Sequence, residues 1–288
     1  MAVGGGAHLD LESFMISRSS VLFLALGVAH LGCGGDPAAD GDNDDPMVDA
    51  AAPDAVLADG ATGGDPLGEW ALRRVLVTTA DAPVVGATTT TTVTTSRVTI
   101  SADGPAYQFV DDVCGVGLES SSALAVPSLA PDYPPRIPTK TVPASLVGGD
   151  LVVPLGIDLT GVALADPDGD PLPTDPEDPT VLDVDEDDDP GLTVFLQVTG
   201  LGVVEVYVAQ RHESTLRSAS LGDDRISGAL ETARFEQSTL GASNALFTGQ
   251  NEIAVNDEDA SFTLVRVDPA WTCADVLAAD ELALFGAR

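Results

Sequence analysis

The sequence predicts a mainly β protein, an antiparallel barrel or sandwich carrying one short C-terminal helix. Three observations lead there. β-Branched runs recur from residue 73 onward and are punctuated by Gly, Asp and Pro turns, the composition of short antiparallel strands. One hairpin is plain. In LTVFLQV (192–198), Leu192, Val194, Leu196 and Val198 share a face; TGLG turns the chain; VVEVYVAQR alternates again through Val204, Val206 and Val208. The end of the chain, WTCADVLAADELALFGAR, breaks this pattern. There Thr272 and Asp275 form a Thr-x-x-Asp capping box, apolar residues follow, and Gly286 is a stop, which predicts a helix over 273–285.

The elements follow in order. RRVLVTT (73–79) is a strand ended by ADAP. GATTTTTVTTSRVTIS (86–101) is β-branched almost throughout, and its threonines make a strand with a polar face. ADGP turns the chain into AYQFVDDV (106–113). Six prolines between 127 and 143 make that stretch extended or looped. Further strands are expected at 214–220, 225–238, 246–254 and 260–267. Residues 67–288 suffice for one substantial core or two small ones.

Formal net charge is −34, from 46 acids against 12 bases. Nine aspartates and no base fall between 34 and 66, so 33–66 is expected to be a disordered acidic tether that cannot bury enough apolar area to offset chain entropy. Twelve acids and no base fall between 166 and 189, an acidic loop expected over 166–190. With one lysine in the chain, nucleic acid is excluded as a partner, since phosphate contacts need clustered Lys and Arg.

The apolar run from Val21 to Gly32 is too short to cross a bilayer, which takes ~20 residues, and fits the core of a signal peptide over 1–32. Reading from Met15 places a free amine and Arg18 before it, so Met15 is the expected start. The run ends in HLGC (30–33), which resembles the lipobox of bacterial lipoproteins. That resemblance implies a lipidated Cys33 and a membrane partner through the lipid anchor. Gly34 after it implies the outer membrane. A secreted protein cut nearby is the alternative.

With Cys33 lipidated, Cys114 and Cys273 remain, and outside the cytoplasm an isolated pair favours a disulfide. Free thiols, or a metal site shared with His212, stay open. His212 is the one histidine after the leader and the one candidate base for a Ser-His-Asp triad. Adjacent Glu213 and Ser214 would point away from it on a strand, so His212 reads as a surface histidine at a strand end. No Gly-x-Ser-x-Gly elbow occurs, and no catalytic residue is assigned. Asp183, Asp185 and Asp187 stand at alternate positions with Asp189 next, an oxygen spacing that suits Ca²⁺ and is similar to extracellular Asp-x-Asp-x-Asp-Gly loops. Asp188 stands where Gly is expected and Val194 where Glu is expected; a solvated acidic loop is the alternative. No other cofactor is expected.

GEW (68–70) opens the folded part and Arg266 lies in its last strand, SFTLVRV. This resembles lipocalin-like barrels, which carry Gly-x-Trp on the first strand and an Arg from the last strand over the indole. The resemblance implies a structural contact between Trp70 and Arg266, with a helix and a disulfide near the C-terminus. The function expected is binding or interaction at the cell envelope, with a small apolar ligand inside the β domain or an envelope partner. Few aromatics and many small residues suggest an incompletely filled interior. A hydrolase and a structural envelope component are the alternatives.

Overall fold

A computed structural model describes residues 64–82 and 85–286. The signal peptide, Cys33 and the tether up to residue 63 lie outside the described residues. The strands are β1 (Gly68–Ala82), β2 (Gly86–Asp103), β3 (Ala106–Ser120), β4 (Ala125–Leu129), β5 (Lys140–Val147), β6 (Asp150–Thr160), β7 (Leu192–Val198), β8 (Gly202–Leu221), β9 (Arg225–Ala242), β10 (Ile253–Val255) and β11 (Ser261–Arg266). Two helices follow, α1 (Cys273–Ala278) and α2 (Glu281–Phe285).

Eight strands form a closed ring in the order β1-β2-β3-β5-β6-β8-β9-β11, with β11 returning to β1. Every pairing is antiparallel, and each ring strand lies beside the next ring strand in the chain. This is an up-and-down barrel, and closure leaves the ring no free edge. At one end β7 pairs with the start of β8, from Leu192↔Val208 to Val198↔Gly202, and β4 pairs with β7. β10 pairs with the end of β1.

Strand periodicity sets the inside. Trp70, Leu72, Val98, Ile100, Phe109, Leu151, Val153, Leu216, Leu230, Phe262 and Leu264 are buried together as an apolar floor. β1 is buried on its outer face too, because Ala71 packs beneath Val276 and Phe285 of the C-terminal helices. Burial of both faces explains the consecutive apolar runs Trp70–Leu72 and Val75–Val77 on either side of Arg73 and Arg74.

Two expectations are corrected, and a third is resolved. The stretch 127–143, expected to be extended or looped, holds the end of β4 and the start of β5 with a loop between them, and β6 follows as a strand that was not anticipated. Pro143 is tolerated in β5 because residues 141–144 pair only with β3 while 145–147 pair only with β6, and Pro154 sits at a bulge in β6. The runs 203–211 and 214–220 are one 20-residue strand, β8, whose His212 is mid-strand. Of 246–254, only residues 253 and 254 are in a strand, β10, after a 3₁₀ turn over Ala245–Phe247.

The C-terminal helix forms as two short helices. Thr272 and Asp275 cap each other's backbone at the start of α1. Ala279 is extended, and Asp280 accepts from the Ala283 N–H at 2.7 Å to start α2. Cys114 of β3 and Cys273 of α1 form a disulfide that ties the helices to the barrel wall.

Candidate functional site

Above the apolar floor the barrel interior turns polar. Inward residues of β1 run Trp70, Leu72, Arg74, Leu76, Thr78, so one charge enters an otherwise uncharged row. Arg74 Nη2 lies 3.0 Å from Asp111 Oδ2 of β3, and the Asp111 side chain is 2% exposed. On β8 the inward row runs Val208, Gln210, His212, Ser214, Leu216. His212 stands opposite Phe235 of β9, with ring centroids 5.9 Å apart, and opposite Asp158 of β6. Lys140 of β5 bonds Asp158 at 2.5 Å.

Burial pulls the His212 imidazole down to about 4; Arg74 and Lys140 push the same way and Asp158 opposes them. The side chain is therefore neutral at pH 7. This corrects the surface reading of His212. Among the described residues, His212 Nε2, Arg74 Nε, Asp111 Oδ1, Ser96 Oγ, Ser214 Oγ and Thr232 Oγ1 are buried without a hydrogen-bond partner. Buried polar atoms of this kind cost ~1–3 kcal/mol each unless something outside the chain partners them. Among the described residues, no hydroxyl is bonded to His212 Nε2.

Beyond this belt lies a cavity of about 220 Å³. That volume equals about seven waters at ~30 Å³ each. One wall is polar: Thr88, Thr90 and Thr92 of β2 with Thr78 of β1 and Ser120 of β3. The opposite wall is apolar: Val194 and Leu196 of β7, Val206 and Val208 of β8, and Phe235 of β9. Gln210 and Gln237 line it as well and bond each other at 2.6 Å. Among the described residues, no charged side chain lines it. The even-numbered threonines of the TTTTTVTT run thus face inward and supply hydroxyls to the barrel interior.

The floor is fastened by the pair at the first and last strands. Arg266 stands opposite Trp70 across β11 and β1, and its guanidinium lies 4.2 Å from the indole centroid. It also donates to the carbonyls of Leu67 (2.7 Å), Asp65 (2.8 Å) and Asp223 (2.5 Å). Trp70 Nε1 donates to Pro66 O at 2.9 Å. Gly68 has φ +127°, and a Cβ there would lie 2.5 Å from Arg266 Nη1. Glycine at this position leaves room for the guanidinium. The segment 64–66, expected to belong to the tether, is held by these contacts.

The acidic loop between β6 and β7 lies on the outer face of β8 and β9, where Val162, Leu164, Leu172 and Val181 pack with Ala209 and Leu240. Arg211, 4% exposed, holds one part of it by donating to Pro167 O and Asp170 O, each at 2.8 Å. Asp183, Asp185 and Asp187 each bring a carboxylate oxygen within 4.8 Å of the others. Asp189 is outside this cluster, beside the Tyr207 hydroxyl.

No known protein family, curated protein or solved structure matches the chain. The site therefore rests on its own geometry. Sequence reading missed Arg74, Asp111 and His212 as interior residues. The available signal was a charge at the third inward position of β1, between Leu72 and Leu76.

Proposed function

We propose that the protein is a lipid-anchored envelope lipoprotein whose barrel binds a small, uncharged, amphipathic molecule. The cavity carries this reading. Its β1–β3 side carries hydroxyls, its β7–β9 side carries aliphatic groups and Phe235 with the amides of Gln210 and Gln237, and among the described residues no ionic group lines it to recognise a charged ligand. Binding sites of this type use an apolar lining and a few placed polar groups, although this cavity is below the usual ~300–1,000 Å³, which restricts the ligand to a small one. The belt of His212 and the Arg74–Asp111 ion pair begins one inward residue below the cavity wall, and the unbonded Nε2 of the neutral His212 there is a hydrogen-bonding atom for the polar end of such a ligand. The lipobox-like HLGC supports anchoring through Cys33, and Gly34 supports the outer membrane. The Cys114–Cys273 disulfide agrees with export, since such bonds persist in oxidising compartments.

Mass spectrometry of organic extracts from natively purified protein tests the reading. The expected result is a neutral small molecule, enriched over an extract of denatured, washed and refolded protein. Identical extracts, with nothing bound, would count against an interior binding role and leave a structural envelope role in its place.

A further inference from the structure

We infer that the loop between β6 and β7 holds a Ca²⁺ ion on Asp183, Asp185 and Asp187. One carboxylate oxygen of each lies within 4.8 Å of the other two, and oxygens so grouped can touch a single ion at the 2.3–2.6 Å of a calcium–oxygen bond. A cluster of exposed acids alone would mean little. Asp185, however, is 3% exposed. Its Oδ2 accepts from the Thr193 N–H at 3.0 Å, while its Oδ1 is buried with no partner on any other residue. A buried carboxylate beside two others costs free energy unless a positive charge joins it. Arg136, which reaches this loop, pairs with Glu186 and Asp132 rather than with the three aspartates.

The backbone brings the three carboxylates together. Glu186 and Asp188 adopt φ of +58° and +72°. Asp188 thereby takes the left-handed conformation that glycine usually supplies after the third aspartate, so its replacement of glycine does not prevent the turn. Asp183 accepts from the N–H groups of Asp187 and Asp188, at 3.2 and 3.0 Å, and keeps lone pairs for an ion. All the side-chain ligands are oxygens, which selects a hard cation over zinc or copper. An irregular loop suits Ca²⁺ better than Mg²⁺, which demands a near-ideal octahedron. The site has a direct route to the barrel, because Thr193 is the second residue of β7 and Val194 and Leu196 of the same strand line the cavity.

The test is calcium titration of the full chain by calorimetry and thermal melting at constant ionic strength, with Mg²⁺ as control. One saturable site is expected, with a dissociation constant of roughly 10⁻⁴ to 10⁻³ M. The melting temperature should rise by about 3–5 °C at tenfold excess over that constant. Asp185→Asn and the exposed Asp187→Asn should each weaken binding at least tenfold and remove most of the shift. No saturable heat and no shift at 10 mM Ca²⁺ would overturn the inference. So would a response unchanged in both variants, which would mark it as charge screening.

Discussion

Arg266 stacks on Trp70 from the directly opposite position on the neighbouring strand, so the last strand of the barrel is clamped to the first by one side chain. The contact lies where the barrel's first and last strands pair. Arg266→Ala removes the cation–π contact and three bonds to backbone carbonyls, at a cost of about 2–4 kcal/mol. Melting should fall by about 5–10 °C. Arg266→Lys should recover little, because an ammonium cannot both stack on the indole and reach the carbonyls of Leu67, Asp65 and Asp223. A melt unchanged in Arg266→Ala would contradict the clamp.

Much of the barrel was legible because strand alternation announces a half-buried sheet. The 192–211 hairpin and the long threonine strand are present as read, and the Gly-x-Trp and Arg266 stand at the two ends that meet. β5 and β6 were hidden by Pro143 and Pro154, whose acceptability depends on an unpaired edge and a bulge that only the register reveals. The site was far less legible. Alternation gives two faces but not which one is interior, so His212 could be read as exposed and the threonines as an outer polar face. The aspartate spacing was visible, but the burial of Asp185 depends on β7 packing against it.

His212 should make stability depend on pH. Its folded value of about 4 lies below the ordinary 6.5, so the unfolded chain binds the proton more readily. Stability attributable to His212 is full above pH 6.5 and is lost as pH falls toward 4, at a limiting ~1.4 kcal/mol per pH unit. Equilibrium urea unfolding at pH 7, 6 and 5 should show this loss in the parent protein. His212→Gln, which cannot titrate, should flatten the profile over this range. Parallel profiles would show that the imidazole is not held neutral inside the barrel.

The disulfide fastens the C-terminal helices over β1. The double substitution Cys114→Ser, Cys273→Ser should cost about 2–5 kcal/mol. Ala71 and Arg73 would lose cover from Val276 and Phe285, the latter stacked 5.3 Å from the Arg73 guanidinium. Limited proteolysis should therefore cut first between Val267 and Thr272 in the double variant. Equal cutting rates in both proteins would mean that packing alone holds the helices.

Cys33 should carry the anchor. Growth with an alkyne-tagged palmitate should label the parent protein, and Cys33→Ser should abolish both the label and membrane fractionation. Labelling that survives the substitution would refute the lipobox reading.

The central claim is that the barrel interior takes a small uncharged guest, and saturation-transfer NMR tests it most directly. Indole is the uncharged probe and benzoate the charged one. Transfer from protein to indole is expected, with little to benzoate, because no charged side chain lines the cavity. Ala125→Phe and Thr92→Phe place a ring in the cavity from opposite walls, and each should abolish transfer to indole while leaving the far-ultraviolet circular dichroism intact. No transfer to indole in the parent protein, or transfer undiminished in both plugged variants, would contradict the account.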